Sequence, residues 1–268
     1  MKHLVVVAAL LVPALAAADP EHFVTIDRQD DSSRAGAELS YLFLNGNNSG
    51  TALRFDVHGQ YVSAMTGLGG YISAPFGYVS GGGQSDEALG DIEVGAIYAL
   101  RMADPDKKLI LHGGITLPTE KSSLTSAEIG AATFSPRLAD FYQAIPEGTS
   151  LRLGISPTVR SGQLFARADF GIDLNLSNAG TDTENTVLRF QFGAGVDFGQ
   201  ASLMLESTNL YATGRNGNGG GWINTGALSA RFDTGGVYPY GALVLGLDDD
   251  VRAIMHEAIT VGLEGKIR

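Results

Sequence analysis

Along most of the chain, apolar and polar residues alternate one by one. Over 53–61, Leu53, Phe55, Val57, Gly59 and Tyr61 share one face, while Arg54, Asp56, His58 and Gln60 share the other. The same period-two pattern runs through 91–100, 164–175 and 188–198; in the last, Leu188, Phe190, Phe192, Val196 and Phe198 alternate with Arg189, Gln191, Gly193, Gly195 and Asp197. Twelve segments carry it: 34–44, 51–64, 69–79, 90–101, 108–118, 149–160, 163–176, 186–198, 201–212, 222–232, 236–247 and 253–267. All are longer than ten residues. A tilted strand needs roughly 9–11 residues to cross a bilayer, whereas strands of soluble proteins usually have about 5–6. The pattern therefore predicts an all-β fold, an antiparallel up-and-down transmembrane β-barrel of about twelve strands spanning 34–268.

The connections support this reading. Long segments (45–50, 80–89, 119–148, 177–185, 213–221 and 248–252) alternate with tight turns such as Ser161–Gly162, Gly199–Gln200 and Thr234–Gly235. Long loops at the outer end and short turns at the periplasmic end are the barrel arrangement. Aromatics near strand ends (Tyr41, Phe43, Tyr61, Tyr98, Phe198, Trp222 and Phe232) suit the two interfacial girdles.

The first residues read differently. Lys2 and His3, an apolar run from Leu4 to Leu15, and Ala14, Ala16 and Ala18 form the pattern of a cleaved export signal over 1–18. Residues 19–33, with Asp27, Asp30 and Asp31, are expected to be a mobile periplasmic tail. The expected location is the bacterial outer membrane, with its lipid as the surrounding partner.

Composition narrows the chemistry. Among 268 residues there is no cysteine, so disulfides and thiolate metal sites are excluded. The net charge of -11 leaves nothing to neutralise phosphate and argues against a nucleic-acid partner. No glycine-rich motif sits between a strand and a helix, so no nucleotide site is expected. No catalytic residue, resident metal or cofactor is assigned. Asp248, Asp249 and Asp250 form an acidic outer loop, a weak candidate for divalent cations.

The candidate functional residues are the charged groups on the inward face: Arg54, Asp56, His58, Asp91, Glu93, His112, Arg152, Arg167, Asp173 and Arg189. They are expected to line a lumen and set its selectivity. Arg152, Asp173 and Arg189 fall at similar heights on neighbouring strands, which predicts a ladder of alternating sign. Asp56, Asp91 and Glu93 are expected to form an acidic patch elsewhere on the wall. His256 is expected to point inward too, and Gly193 to face a wet lumen. The loop 119–148 mixes Ile129, Phe134, Leu138, Phe141 and Tyr142 with Ser and Pro, and is expected to pack into the mouth or against the membrane.

Two stretches add a resemblance. Gly90-Asp91-Ile92-Glu93-Val94-Gly95-Ala96-Ile97-Tyr98 is followed by Gly113-Gly114-Ile115-Thr116-Leu117-Pro118-Thr119. Together they resemble the outer-membrane channel-like proteins of the phenol-degradation meta-pathway transporter family. There a "GD-x-x-x-G-x-x-Y" hairpin leads to a strand ending in "LPTG"; Glu120 stands here in place of that last Gly. The resemblance implies a passive channel for small, and by implication hydrophobic, solutes. Two other readings stay open: a structural or adhesive barrel that does not conduct, and an outer-membrane lipid hydrolase built on a Ser–His pair.

Overall fold

The computed structural model describes residues 22–44, 50–81, 84–119, 134–144, 148–177, 186–213 and 220–267. The expected export signal over 1–18 lies outside them. The strands are β1 (Arg34–Leu44), β2 (Thr51–Val62), β3 (Leu68–Gly81), β4 (Gln84–Leu89), β5 (Ile92–Arg101), β6 (Lys107–Leu117) and β7 (Thr149–Ser161). They continue as β8 (Leu164–Ser177), β9 (Thr186–Asp197), β10 (Ala201–Ala212), β11 (Gly221–Phe232), β12 (Val237–Gly246) and β13 (Met255–Lys266). Neighbours pair antiparallel, and β1 bonds both β2 and β13, which closes the ring. Closure leaves no open edge in the ring of barrel strands, as a bilayer requires. Twelve strands form the barrel, and β4 is an extra short strand that pairs the loop-end half of β3 while β5 pairs the other half.

The alternation sorts the faces as its period requires. Phe55, Val57, Phe192, Leu205, Leu228 and Val261 are exposed, forming part of an apolar outer band. Arg54, Asp56, His58, Arg152, Asp169, Arg189 and Glu264 are buried inside. The expected inward placement of His256 is overturned. The β1–β13 register slips after Phe43↔Glu257 to Leu44↔Met255, so His256 is the extra residue of a bulge and is exposed.

The segment expected at 90–101 is also split. Gly90 and Asp91 leave the ladder: the Gly90 N–H donates to the Pro75 carbonyl at 2.9 Å, and the Asp91 N–H to the Gln143 carbonyl at 2.9 Å. In the 248–252 connection, Asp248 caps a short helix, α1 (Asp249–Ile254), accepting from the Val251 N–H at 2.9 Å and from the Asn224 N–H. Both Asp248 oxygens are thus spent on backbone donors, which gives the acidic run a capping role.

Candidate functional site

Two segments enter the lumen and fill it. The first is residues 22–33, expected above as a mobile tail. That expectation is corrected: His22 through Asp30 are buried inside the barrel. The chain runs into the lumen, bends at Val24–Ile26 and returns toward β1, so that His22 Nδ1 lies 3.9 Å from Asp30 Oδ2. Its acids mark ion pairs rather than a solvated tail, and its apolar residues have sockets. Phe23 and Ile26 pack with Phe165 and Met204, and Phe23 meets the Phe165 ring at 5.5 Å between centroids. Phe23 occupies the space over Gly193, where a Cβ would come within 2.4 Å of the ring. Gly193 therefore faces the strap, not water, which corrects the second inward expectation.

Polar groups hold the rest of the strap. Glu206 on β10 accepts from the backbone N–H groups of Val24 (3.1 Å), Thr25 (2.6 Å) and Ile26 (3.3 Å), and from the Thr25 hydroxyl (2.9 Å). A carboxylate collecting several N–H donors of an extended turn is a strong, charge-assisted arrangement. Just past the bend, Asp27 meets Arg152 at 3.2 Å and contacts Arg189, while its N–H donates to Gln191 at 2.6 Å. Arg28 pairs with Asp56 at 3.0 Å and Glu38 at 3.2 Å. Arg167 donates to the Gln29 carbonyl at 2.6 Å. Burial with Arg34 nearby lowers His22 to about 3, against the pull of Glu264, whose carboxylate is 3.1 Å away.

The second insert is the stretch Ser135–Ala144, a pair of short 3₁₀ turns kinked at Arg137 and Asp140. It descends from the 119–148 loop, so the part of that loop described here lies in the mouth. Ile129 lies outside the described residues. Asp140 bonds Arg54 at 2.7 Å and Arg137 at 2.8 Å, and Arg137 donates to the carbonyls of Val24 and Ile26. Strap and insert thus touch each other at mid-lumen. Among Arg28, His58 and Arg152 lies a void of about 20 Å³, room for roughly one water.

All ten wall residues singled out in the sequence are buried here, but they do not divide by sign as expected. Asp173 Oδ1 lies 3.4 Å from Arg152 and 3.0 Å from Arg189, so these three form a ladder. The acidic patch does not form. Asp56 is paired with Arg54 at 3.0 Å and with Arg28, and Glu93 with Arg152 at 3.2 Å. Burying like charges side by side is costly unless each has a partner, and the strap and wall arginines supply them. His58 lies between Asp56 (3.3 Å) and Glu264 (2.9 Å). His112 and Ser156 both bond Asp169, at 2.8 Å for the histidine, so the serine addresses the carboxylate rather than the imidazole. A nucleophilic relay requires serine on histidine.

The Gly-Asp and Leu-Pro-Thr stretches meet in one corner. The Thr119 N–H donates to Asp91 Oδ1 at 2.8 Å, its hydroxyl donates to the Gly90 carbonyl at 3.0 Å, and its Oγ1 accepts from the Ile92 N–H at 3.0 Å. A Cβ on Gly90 would lie 2.9 Å from the Gln143 carbonyl oxygen and 2.9 Å from Pro75 Cγ. The motif is therefore the hinge post from which the inward segment is anchored. Glu206 was missed by the sequence reading; as an isolated acid in an otherwise ordinary alternating strand, it gave no signal of the strap it would hold.

No family model matches the chain, and no curated protein does. Solved structures match its backbone. An outer-membrane channel from Pseudomonas putida F1 aligns with a TM-score of 0.65 at 11% identity, covering 94% of this chain and 100% of that one. The fold is an outer-membrane β-barrel. The KdgM porin aligns with a TM-score of 0.53 at 9% identity, over 87% of this barrel and 99% of that chain. At such identities the likeness is one of architecture.

Proposed function

We propose that this barrel is an outer-membrane channel for small solutes, closed in this conformation by its own N-terminal strap. The observation that supports the reading is how the strap is held. Apart from three apolar side chains, Phe23 and Ile26 in their socket and Val24 in the apolar cluster with Leu42, Leu138 and Tyr142, its anchors are hydrogen bonds and ion pairs to Glu206, Gln191, Arg152, Arg189, Asp56 and Arg167. Water can replace each of these partners, so release does not demand exposure of a large apolar core. A barrel of twelve strands lies between side-chain-filled eight-stranded barrels and the open porins of 16–18 strands, which fits a lumen wide enough to hold a removable peptide.

The finer part of the proposal is that the solutes are partly apolar. Val62, Tyr71, Ile97 and Ile110 form an inward apolar cluster at the turn end. A recess of about 400 Å³ beside it is lined by Val62, Ala99, Ile110, Met102, Lys108 and Asp31, a volume suited to a small ligand. A second reading, a structural barrel that does not conduct, is favoured by the same dense ionic filling. One experiment separates them. The chain has no cysteine, so Thr25→Cys with Thr208→Cys introduces a single strap-to-wall pair; the Thr208 hydroxyl lies 3.4 Å from the Thr25 carbonyl. In planar bilayers the oxidised pair should abolish openings that return on reduction. Silence of both forms and of the parent barrel favours the structural reading.

A further inference from the structure

The outer surface carries a feature that lumen transport does not use. Across β7 to β9 two adjacent cross-strand rows on the lipid-facing side share a block of small residues, Pro157, Ala166, Ala168 and Ala194. One row runs Lys107↔Val159↔Ala166↔Ala194↔Leu205; the next contains Leu109↔Pro157, Ala168↔Phe192 and Phe192↔Ser207. Large residues border them on both sides. Toward the loops stand Leu111, Ile155, Phe170 and Phe190, which are mutual register partners. Toward the turns stand Leu164, Val196 and Leu203. The β7–β8 register also skips Pro157, which has no N–H to offer β8. The result is a trough of about 730 Å³ with a floor of Pro157, Ala166, Ala168 and Ala194.

The trough runs obliquely. One end opens at the barrel's turn end beside Met102, Lys107 and Lys108, and the other climbs four residues along β10 to Leu205. The rim is of mixed sign: Lys107 Nζ lies 3.0 Å from Asp104, while Lys108, on the other face of β6, pairs with Asp31 of the strap at 3.1 Å. In a barrel of this build the turn end faces the periplasm, so the rim lies at headgroup depth of the inner leaflet and the floor at acyl depth. We propose that the trough is a binding site for one zwitterionic phospholipid of the phosphoethanolamine class. Its acyl chain lies on the alanine floor, its phosphate is met by Lys107, and its ammonium by Asp104. Bulk acyl chains pass over an ordinary barrel wall, whereas this recess removes a chain from the annulus on three sides and offers it more dispersion contact. A headgroup of two signs matches a rim of two signs better than a purely anionic one does.

The test is native mass spectrometry of the full chain extracted from vesicles of phosphatidylethanolamine and phosphatidylglycerol in equal amounts. The parent barrel should retain one phosphatidylethanolamine. Ala166→Phe with Ala194→Phe fills the floor and should lower retention roughly ten-fold, the effect of a modest binding loss. Ala37→Phe, on the far wall, should retain the lipid, and a heat-dependent gel shift confirms that every variant is folded. Lys107→Gln should weaken retention without filling the floor. Equal retention by the floor-filled variant overturns the proposal, as does preference for phosphatidylglycerol. A lipid-free dimer lost on filling the floor assigns the trough to a second copy of the chain instead.

Discussion

Replacing Glu206 by Ala removes the acceptor that four strap donors share. Their distances are 3.1, 2.6, 2.9 and 3.3 Å. A hydrogen bond to a charged group contributes about 1.5–3 kcal/mol. The four converge on one carboxylate and are not additive, so the two shortest set the scale, about 3–6 kcal/mol. Water entering the vacated space restores part of this to the orphaned N–H groups. A net loss of about 2–3 kcal/mol remains, moving the docked-to-released ratio roughly thirty- to hundred-and-forty-fold toward release. The Ser229 hydroxyl also bonds Glu206, but it belongs to the wall, so the barrel loses little. Two readouts follow in one preparation: open probability in a planar bilayer, and trypsin cleavage after Arg28, which is only 7% exposed while docked. Both should rise. A folded Glu206→Ala barrel with unchanged opening and unchanged cleavage would refute the assignment of Glu206 as the strap's main anchor.

Other outcomes follow from the same geometry. Phe192→Arg puts a charge against lipid near mid-strand and should cost about 2–4 kcal/mol in a folding titration. Gly193→Ala instead drives a Cβ into Phe23 and should raise open probability while the barrel's stability changes less. Arg152→Glu with Arg189→Glu removes the clamp on Asp27 and leaves Asp173 and Glu93 unpaired; reversal potentials in a salt gradient should shift toward cation selectivity, and an unchanged reversal potential would place these arginines off the permeation path. Gly90→Ala should cost about 1–3 kcal/mol by overpacking against Gln143 and Pro75, read as a lower melting temperature. Acidification should release the strap: His22 is held neutral when docked, with its value near 3, and takes up a proton near 6.5 when free. Docking is then favoured above about pH 6.5 and is lost progressively as pH falls toward 3. Asp30, held low beside Arg34 in spite of its burial, acts in the same direction. Openings that become rarer on acidification would contradict this sign.

The barrel was legible because its rule is local. Each strand needs only a two-residue period, and register between neighbours follows from which face meets lipid. That is why Arg54, His58, Arg152 and Arg189 could be placed inward from alternation alone, and why the Arg152–Asp173–Arg189 ladder followed from counting heights. His256 escaped because a single bulge reverses the phase of everything beyond it in that strand. The strap escaped for another reason. His22-Phe23-Val24-Thr25-Ile26-Asp27-Arg28 has neither period two nor a turn signal, and its burial depends on partners 100 or more residues away, such as Glu206 and Arg152. Acids near a chain terminus usually signal solvation; here Asp27 finds Arg152 and Arg189, and Asp30 finds Arg34, while the exposed Asp31 pairs with Lys108, and only the assembled lumen reveals it. The Gly90-Asp91 and Leu117-Pro118-Thr119 stretches were visible as a motif, but their bonding to one another appears only when β5 and β6 are set side by side.

The most direct test of the central claim is single-channel recording of the barrel with residues 22–32 deleted, beside the intact chain, both shown folded by heat-dependent gel mobility. If the strap is what closes the lumen, the deleted form should show steady openings while the intact chain is mostly shut. If the deleted form stays silent at every voltage, the strap is not the gate and the account of this barrel as a strapped channel is wrong.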